Sequence, residues 1–359
     1  MQLTVYAGEH DRTMCPVFAE APRPPYPRFA LKTPAGERLP AQYTERDGKG
    51  KIVFLLPWLG KGESLTLRVV RSGGRDTCTL RRDQSRISMC IGGKERTGYT
   101  FGTDLAKPYF GPFFERYGGQ ITRLDPITKE HPHHRCFWVS HGSVNGVDTW
   151  NEPSDCGFIR NHAIEDEESG SVFAAFTACN TWTDHGGKPL CEEKTNYRLY
   201  CTVPGMTVAD VELTLSAPYG QVTLGSTKEA GPVAVRMSDD ITVKKGNGRF
   251  ETGAGGVNEE DCWMKRAPWC DYYGTEAGHL CGFAILDHPE NEGFPSYWHV
   301  RNYGLMAPNN FHIPGDRVIP AGESITWRYR LVAHNGDARA ADISGKFADL
   351  AYAPKVEIK

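Results

Sequence analysis

At 359 residues and 39% hydrophobic content, the chain is long enough for one large core and a smaller one, since single cores stop growing near about 250 to 300 residues. Lys plus Arg total 41 against 44 for Asp plus Glu, a net charge of −3, and no basic block suited to phosphates is present, so nucleic acid is excluded as a partner. No window approaches the ~18 apolar residues of a membrane span, and the opening MQLTVYAGEHDRTMC has no basic region followed by an apolar run. The expectation is a soluble cytoplasmic protein.

In chain order, the first strands are KIVFLLP and SLTLRVV, which end in the polar turn RSGGRD at residues 71–76. A boundary follows near residue 85, leaving a small N-terminal β domain over 1–85 and enough chain over 86–336 for a large sandwich. The next strands are SVFAAFTACNTW, TNYRLYCTV, VADVELTLSA, VTLGST, HLCGFAILDHP and SITWRYRLVAH. In the last, Ile325, Trp327, Tyr329 and Leu331 alternate with Thr326, Arg328 and Arg330, the period of a half-buried strand. With 39 Gly and 24 Pro as punctuation, the pattern predicts an all-β antiparallel sandwich or barrel. Helix is expected only in the tail, 337–359, where Asp342 can cap ISGKFADLAYA and Pro354 can stop it. The 11 cysteines contain no CxxC pair and are expected to be mostly reduced core residues.

Four stretches hold more titratable and aromatic residues than a β core needs. KPYFGPFF followed by ITRLDP offers Lys107, Tyr109 and Arg123. HPHHRCFWVSHGSVNGVDTW offers His131, His133, His134, Arg135, His141 and Asp148. On a strand His131 and His133 would share a face with Cα atoms ~6.6 Å apart, a spacing that lets two imidazoles meet one divalent metal; the same residues also suit sugar hydroxyls or acid–base work, or the needs of buried backbone groups. Pro132 argues for an edge, a bulge or a strand start. STKEAGPVAVRMSDD offers Lys228, Arg236 and Glu229, a carboxylate that stays ionised beside cations and can act as a general base. LDHPENEGFPSYWHVRNYGLMAPNNF offers Trp298, His299, Arg301, Asn302, Tyr303 and Asn309, the mixture of rings and planar polar groups that sugars bind. The expected catalytic set is His131, His133, His134, Glu229 and His299, with the others in substrate binding and His131 and His133 as the metal pair if one is bound. No GxSxG elbow, P-loop or strand-placed GxGxxG occurs, so no nucleotide cofactor is expected.

These stretches, with KRAPWCDYYG, resemble the signature blocks of a bacterial family that carries the label of a methane oxygenase component, over roughly residues 100–335. A membrane-bound methane oxygenase needs several spanning helices, and this chain has none. The resemblance implies instead a β-supersandwich similar to galactose mutarotases, from a family whose genes neighbour sugar oxidoreductases and sugar isomerases. Mutarotase-like enzymes place a histidine acid and a carboxylate base across a sugar ring, roles that fall here on His131 and Glu229. The remaining blocks depart from the mutarotase pattern. The expected reaction is therefore proton abstraction from, or opening of, a sugar or a keto-glycoside, with a metal-dependent enzyme and a non-catalytic sugar-binding module as alternatives.

Overall fold

The computed structural model describes residues 1–46, 48–124, 130–201 and 205–359. The last two residues of ITRLDP and two of TNYRLYCTV lie outside them. Strands account for 51% of the structure and helices for 5%, and each pairing between strands is antiparallel.

Two eight-stranded sheets form the large sandwich. One runs Trp298–Arg301, Leu305–Pro308, Ala234–Arg236, Phe137–Trp138, Tyr109–Phe110, Lys94–Thr100, Arg86–Ile91 and Cys78–Arg82; the other runs Phe158–Glu168, Phe173–Thr183, Pro189–Tyr200, Met206–Ser216, Ser324–Asn335, His279–Asp287, Trp269–Glu276 and Gly248–Thr252. Alternation decides which side chains meet between them. Phe137, Val235, Met306 and Val300 from the first sheet pack against Leu213, Tyr329, Leu331 and Phe283 from the second. A polar trio inside this core is satisfied internally: Glu193 accepts from Asn180, Trp182 and Thr195.

The front of the chain makes a separate seven-stranded sheet, curled around Leu3, Val5, Val17, Leu31, Phe54 and Leu67. Its last strand in the front half is Ser64–Arg71; Cys78–Arg82, placed before the expected boundary, pairs instead with Arg86–Ile91 in the large sandwich. The polar turn at 71–76 is what separates the two. In the tail, Asp342 caps the helix Ile343–Ala351 by accepting from the Gly345 N–H. The residues beyond it are not helical. Lys355–Ile358 pairs with Gln2–Tyr6, because Val356 and Ile358 alternate with charged neighbours and complete the front core.

The front unit and the tail helix pack on the outer face of only one sheet of the sandwich, and the outer face of the other carries a small buried cluster of its own. The outer face of the second sheet, with Val172, Phe173, Val208 and Val332, is packed by Val53 and Leu55 of the front unit and by Ile343 and Phe347 of the tail helix. The outer face of the first sheet carries Trp138, Ala234, Leu305 and Ala307, joined by Trp150, Tyr109 and Tyr303. Cys78 and Cys201 are bonded, tying the edge strand of the first sheet to the end of Pro189–Tyr200; the other nine cysteines are buried. Among the described residues no helix is long and apolar enough to cross a membrane.

Candidate functional site

The HPHH segment is a turn rather than a strand. His134 N–H donates to the His131 carbonyl at 3.1 Å, with Pro132 at the second turn position, where its fixed φ fits. Arg123, buried behind the turn, donates to the carbonyls of Glu130, His131 and His134 and fixes its shape. His131, Cys136 and Glu152 all have positive φ, backbone strain that gathers where side chains must be aimed.

The turn changes which histidines face one another. His131 and His134 stack with ring centroids 4.9 Å apart, His134 stacks on Trp138 at 4.9 Å, and Tyr303 stacks on His131 at 4.7 Å. His133 stands edge-on to His134 at 4.3 Å. The Arg236 guanidinium lies 4.6 Å from the centre of the Tyr303 ring. Arg236 projects here because it alternates with the core residues Val235 and Met237 on its short strand. The strand-based HxH spacing is thus replaced by a row of parallel rings, and among the described residues no group of three or more His, Cys, Asp or Glu is arranged to hold a metal ion.

Burial sets the charge state of this row. His133 is pushed down to about 4 by burial, then by Lys107; His134 lies well below the ordinary histidine range through burial and its neighbour His133; His131 is lowered by burial and then by Arg236. All three are neutral imidazoles at pH 7, able to donate and accept. Burial also pushes the Tyr303 phenol up to about 12, against the pull of Arg236. His133 Nε2, both ring nitrogens of His134, and Nε and Nη1 of Arg236 are buried without a hydrogen-bond partner among the described residues. Native interiors rarely leave such atoms unpaired, and a cluster of them points to a ligand.

Acids that the sequence reading passed over complete the surroundings. Glu152 receives Lys107 Nζ at 2.7 Å and lies 3.3 Å from Arg135; burial raises its pKa, but Lys107 and Arg135 together hold it below the usual carboxylate range. Asp239 lies 3.6 Å from Arg236 and 3.9 Å from Arg123. Glu152 follows two residues after the HPHH stretch ends, and Asp239 sits within the third stretch, three residues after Arg236. Trp138 and Trp150, also unassigned from sequence, supply the apolar floor.

Several expected residues have structural work instead. Trp298 is in the main core and donates to the Ala267 carbonyl. His141 packs on Phe311 and bonds the Gly225 carbonyl, away from the other three histidines. Asp148 closes a turn through the N–H groups of Trp150 and Asn151, and Asn302 is locked to Glu259 through both backbone and side chain. Asn309 donates to the carbonyls of Thr227 and Lys228, positioning the loop that carries Glu229. Arg301 pairs with Glu259 at 3.2 Å. His299, lowered to about 3 by burial and then by Arg301, has the Lys228 carbonyl against its ring and an unpartnered Nδ1.

Glu229 is half-buried, accepts from Thr227 Oγ1 at 3.1 Å, and lies 3.6 Å from the exposed Lys228 ammonium. Its carbonyl accepts from Gly142 N–H, directly after His141, and its charge is close enough to Tyr303 to help raise that phenol. Tyr109 packs on the tryptophan pair. Cavities of about 280 and 210 Å³ lie elsewhere on the molecule.

The fold and site together define an antiparallel β-sandwich with a polar, ring-lined patch on the outer face of one sheet. The chain belongs to a family of unknown function, DUF6807, whose model matches residues 86–348. No curated protein matches it. Among solved structures it is similar to two GH36 α-galactosidases of Geobacillus stearothermophilus: AgaB (10% identity, TM-score 0.38, 72% of this chain and 41% of that one) and AgaA (10%, 0.36, 67% and 40%). It is also similar to a galactose 1-epimerase from Lactobacillus acidophilus NCFM (10%, 0.25, 90% and 100%). The chain thus spans about two fifths of the α-galactosidases it matches.

Proposed function

We propose that the ring-lined patch binds a sugar and that the protein is a carbohydrate-active enzyme acting on a glycoside, in the cytoplasm, on a substrate that a sugar oxidoreductase has converted to a keto-glycoside. The observation that carries this reading is the set of buried, unpartnered His133, His134 and Arg236 nitrogens beside the stacked rings of Tyr303 and His131. Sugars present CH faces to rings and hydroxyls to neutral donors and acceptors, and that combination is what these residues offer.

A ketone acidifies the adjacent C–H. Glu229, ionised beside Lys228, takes that proton; the electron pair enters an enolate whose oxygen the Arg236 guanidinium stabilises from a largely dry position. The C–O bond to the aglycone then breaks, and the departing oxygen takes the Tyr303 proton, which solvent restores. The imidazoles of His131, His133 and His134, each lowered chiefly by burial, orient the hydroxyls in their neutral form. The test is turnover of keto-glycosides by the wild type and by Glu229→Gln. A fall of about 10² or more in kcat with the far-UV spectrum unchanged supports the role, since Gln removes a base at nearly constant volume; no turnover by the wild type of any keto-glycoside, or full activity in Glu229→Gln, overturns it.

A further inference from the structure

A second region, away from the ring-lined patch, carries features that the sugar reading does not use. A cavity of about 280 Å³ opens between the sheets at one end of the sandwich, lined by Arg96, Glu115, Arg116, Thr207 and His334 among others. Arg96 is the extra residue of a β-bulge: Met89 pairs with Thr97 and Cys90 with Glu95, leaving it between them. Bulges of this kind re-aim a side chain out of the strand's alternation.

The charges in the cavity are unequal. Glu115 is its one lining acid, and both its oxygens are engaged, one by Gly119 N–H at 2.7 Å and the other by Asn335 Nδ2 at 3.1 Å. Neither Arg96 nor Arg116 has an acidic partner among the described residues; Arg116 only leans on the Tyr117 ring. At the inner end His334 is 1% exposed. Its Nε2 is held by Asp271 at 2.8 Å, and its Nδ1 is buried with no partner among the described residues. Two guanidinium groups without an acidic partner on one cavity are the chemistry that oxyanions bind.

We propose that this cavity binds a small oxyanion, the phosphate or carboxylate of a metabolite, at a site separate from the sugar patch. Arg96 and Arg116 hold the anion, and the His334–Asp271 pair closes the inner wall.

The test is calorimetric titration with inorganic phosphate and, separately, with malonate, at constant ionic strength against a chloride control. Saturable binding of one or both is expected, and which probe binds distinguishes the phosphate from the carboxylate source. Arg96→Gln and Arg116→Gln are each expected to weaken it about tenfold, whereas Tyr303→Ala leaves it unchanged. Arg116 is exposed, so its variant reports even if Arg96→Gln misfolds. Absence of saturable heat with either probe, wild-type affinity in both arginine variants, or loss of binding in Tyr303→Ala overturns the proposal; the last outcome places the anion at the sugar patch instead.

Discussion

Lowering the pH from 7 to 5 should destabilise the fold steeply, and the structure supplies the size of the effect. His133, His141 and His299 are held at about 4, about 4 and about 3, chiefly by burial, and His134 lies lower still than an ordinary histidine. Each has a folded pKa below its unfolded one. Between those values the unfolded chain binds a proton that the native state refuses, so this stability is present above about pH 6.5 and drains away as the pH falls. At pH 5 His133, His141 and His299 together account for about three protons in favour of unfolding, and His134 acts in the same sense. Burial acts oppositely on Asp287, lifted to about 6, where the native state holds about one proton that the unfolded chain gives up; Glu193, also raised by burial, acts in the same sense as Asp287. The net is about two protons, or about 3 kcal/mol per pH unit near pH 5, against a whole-domain stability of about 5–15 kcal/mol. Urea midpoints measured at pH 7, 6, 5 and 4.5 should fall accordingly, and His141→Gln should lessen the slope by about one proton's worth. Stability that is flat or rising from pH 7 to 5 would refute the reasoning.

Three further outcomes follow from the same geometry. Glu152→Gln leaves the buried Lys107 without its counter-charge and should cost about 3 kcal/mol in thermal or urea unfolding, with part of the loss recovered in the Lys107→Met, Glu152→Gln double variant; additive losses would deny the coupling. Thiol titration of the unfolded protein should find two fewer thiols without reductant than with it, from Cys78 and Cys201; equal counts would mean that pair is reduced. His133→Ala should reduce turnover of the keto-glycoside by about tenfold or more while leaving the urea midpoint at pH 7 nearly unchanged, and a variant with wild-type kinetics would remove His133 from the site.

The strands that were legible in the sequence are those with one buried and one less buried face, or long apolar runs. SITWRYRLVAH and VADVELTLSA became Ser324–Asn335 and Met206–Ser216, paired with each other in register from Met206 with His334 to Ser216 with Ser324. The C-terminal strand was not legible, because four residues after a helix and a proline carry too little period to outweigh an expected tail; only its partner Gln2–Tyr6, more than 340 residues away, gives it a reason to exist. At the site, the residue types were readable but the facing was not. A strand would have put His131 beside His133 with His134 facing away; the turn built around Pro132 and held by Arg123 stacks His131 on His134 and sets His133 edge-on to both. Asp239 had a readable partner in Arg236, three residues before it. Glu152, paired with Lys107, and the contact of Asp239 with Arg123 were missed because those partners come from distant segments, and an ion pair that forms only on folding leaves no local spacing to read. The same holds for the disulfide, whose cysteines are 123 residues apart.

The central claim is that a sugar sits on the Tyr303–His131–His134 row, and a crystal structure of the protein soaked with monosaccharides, glycosides and their keto derivatives tests it most directly. The account predicts a sugar ring stacked against Tyr303 or His131, with hydroxyls within about 3 Å of His133, His134 and Arg236 and a ring carbon facing Glu229. Sugar bound only elsewhere on the molecule, or no sugar at saturating concentration with those side chains unmoved, would contradict it.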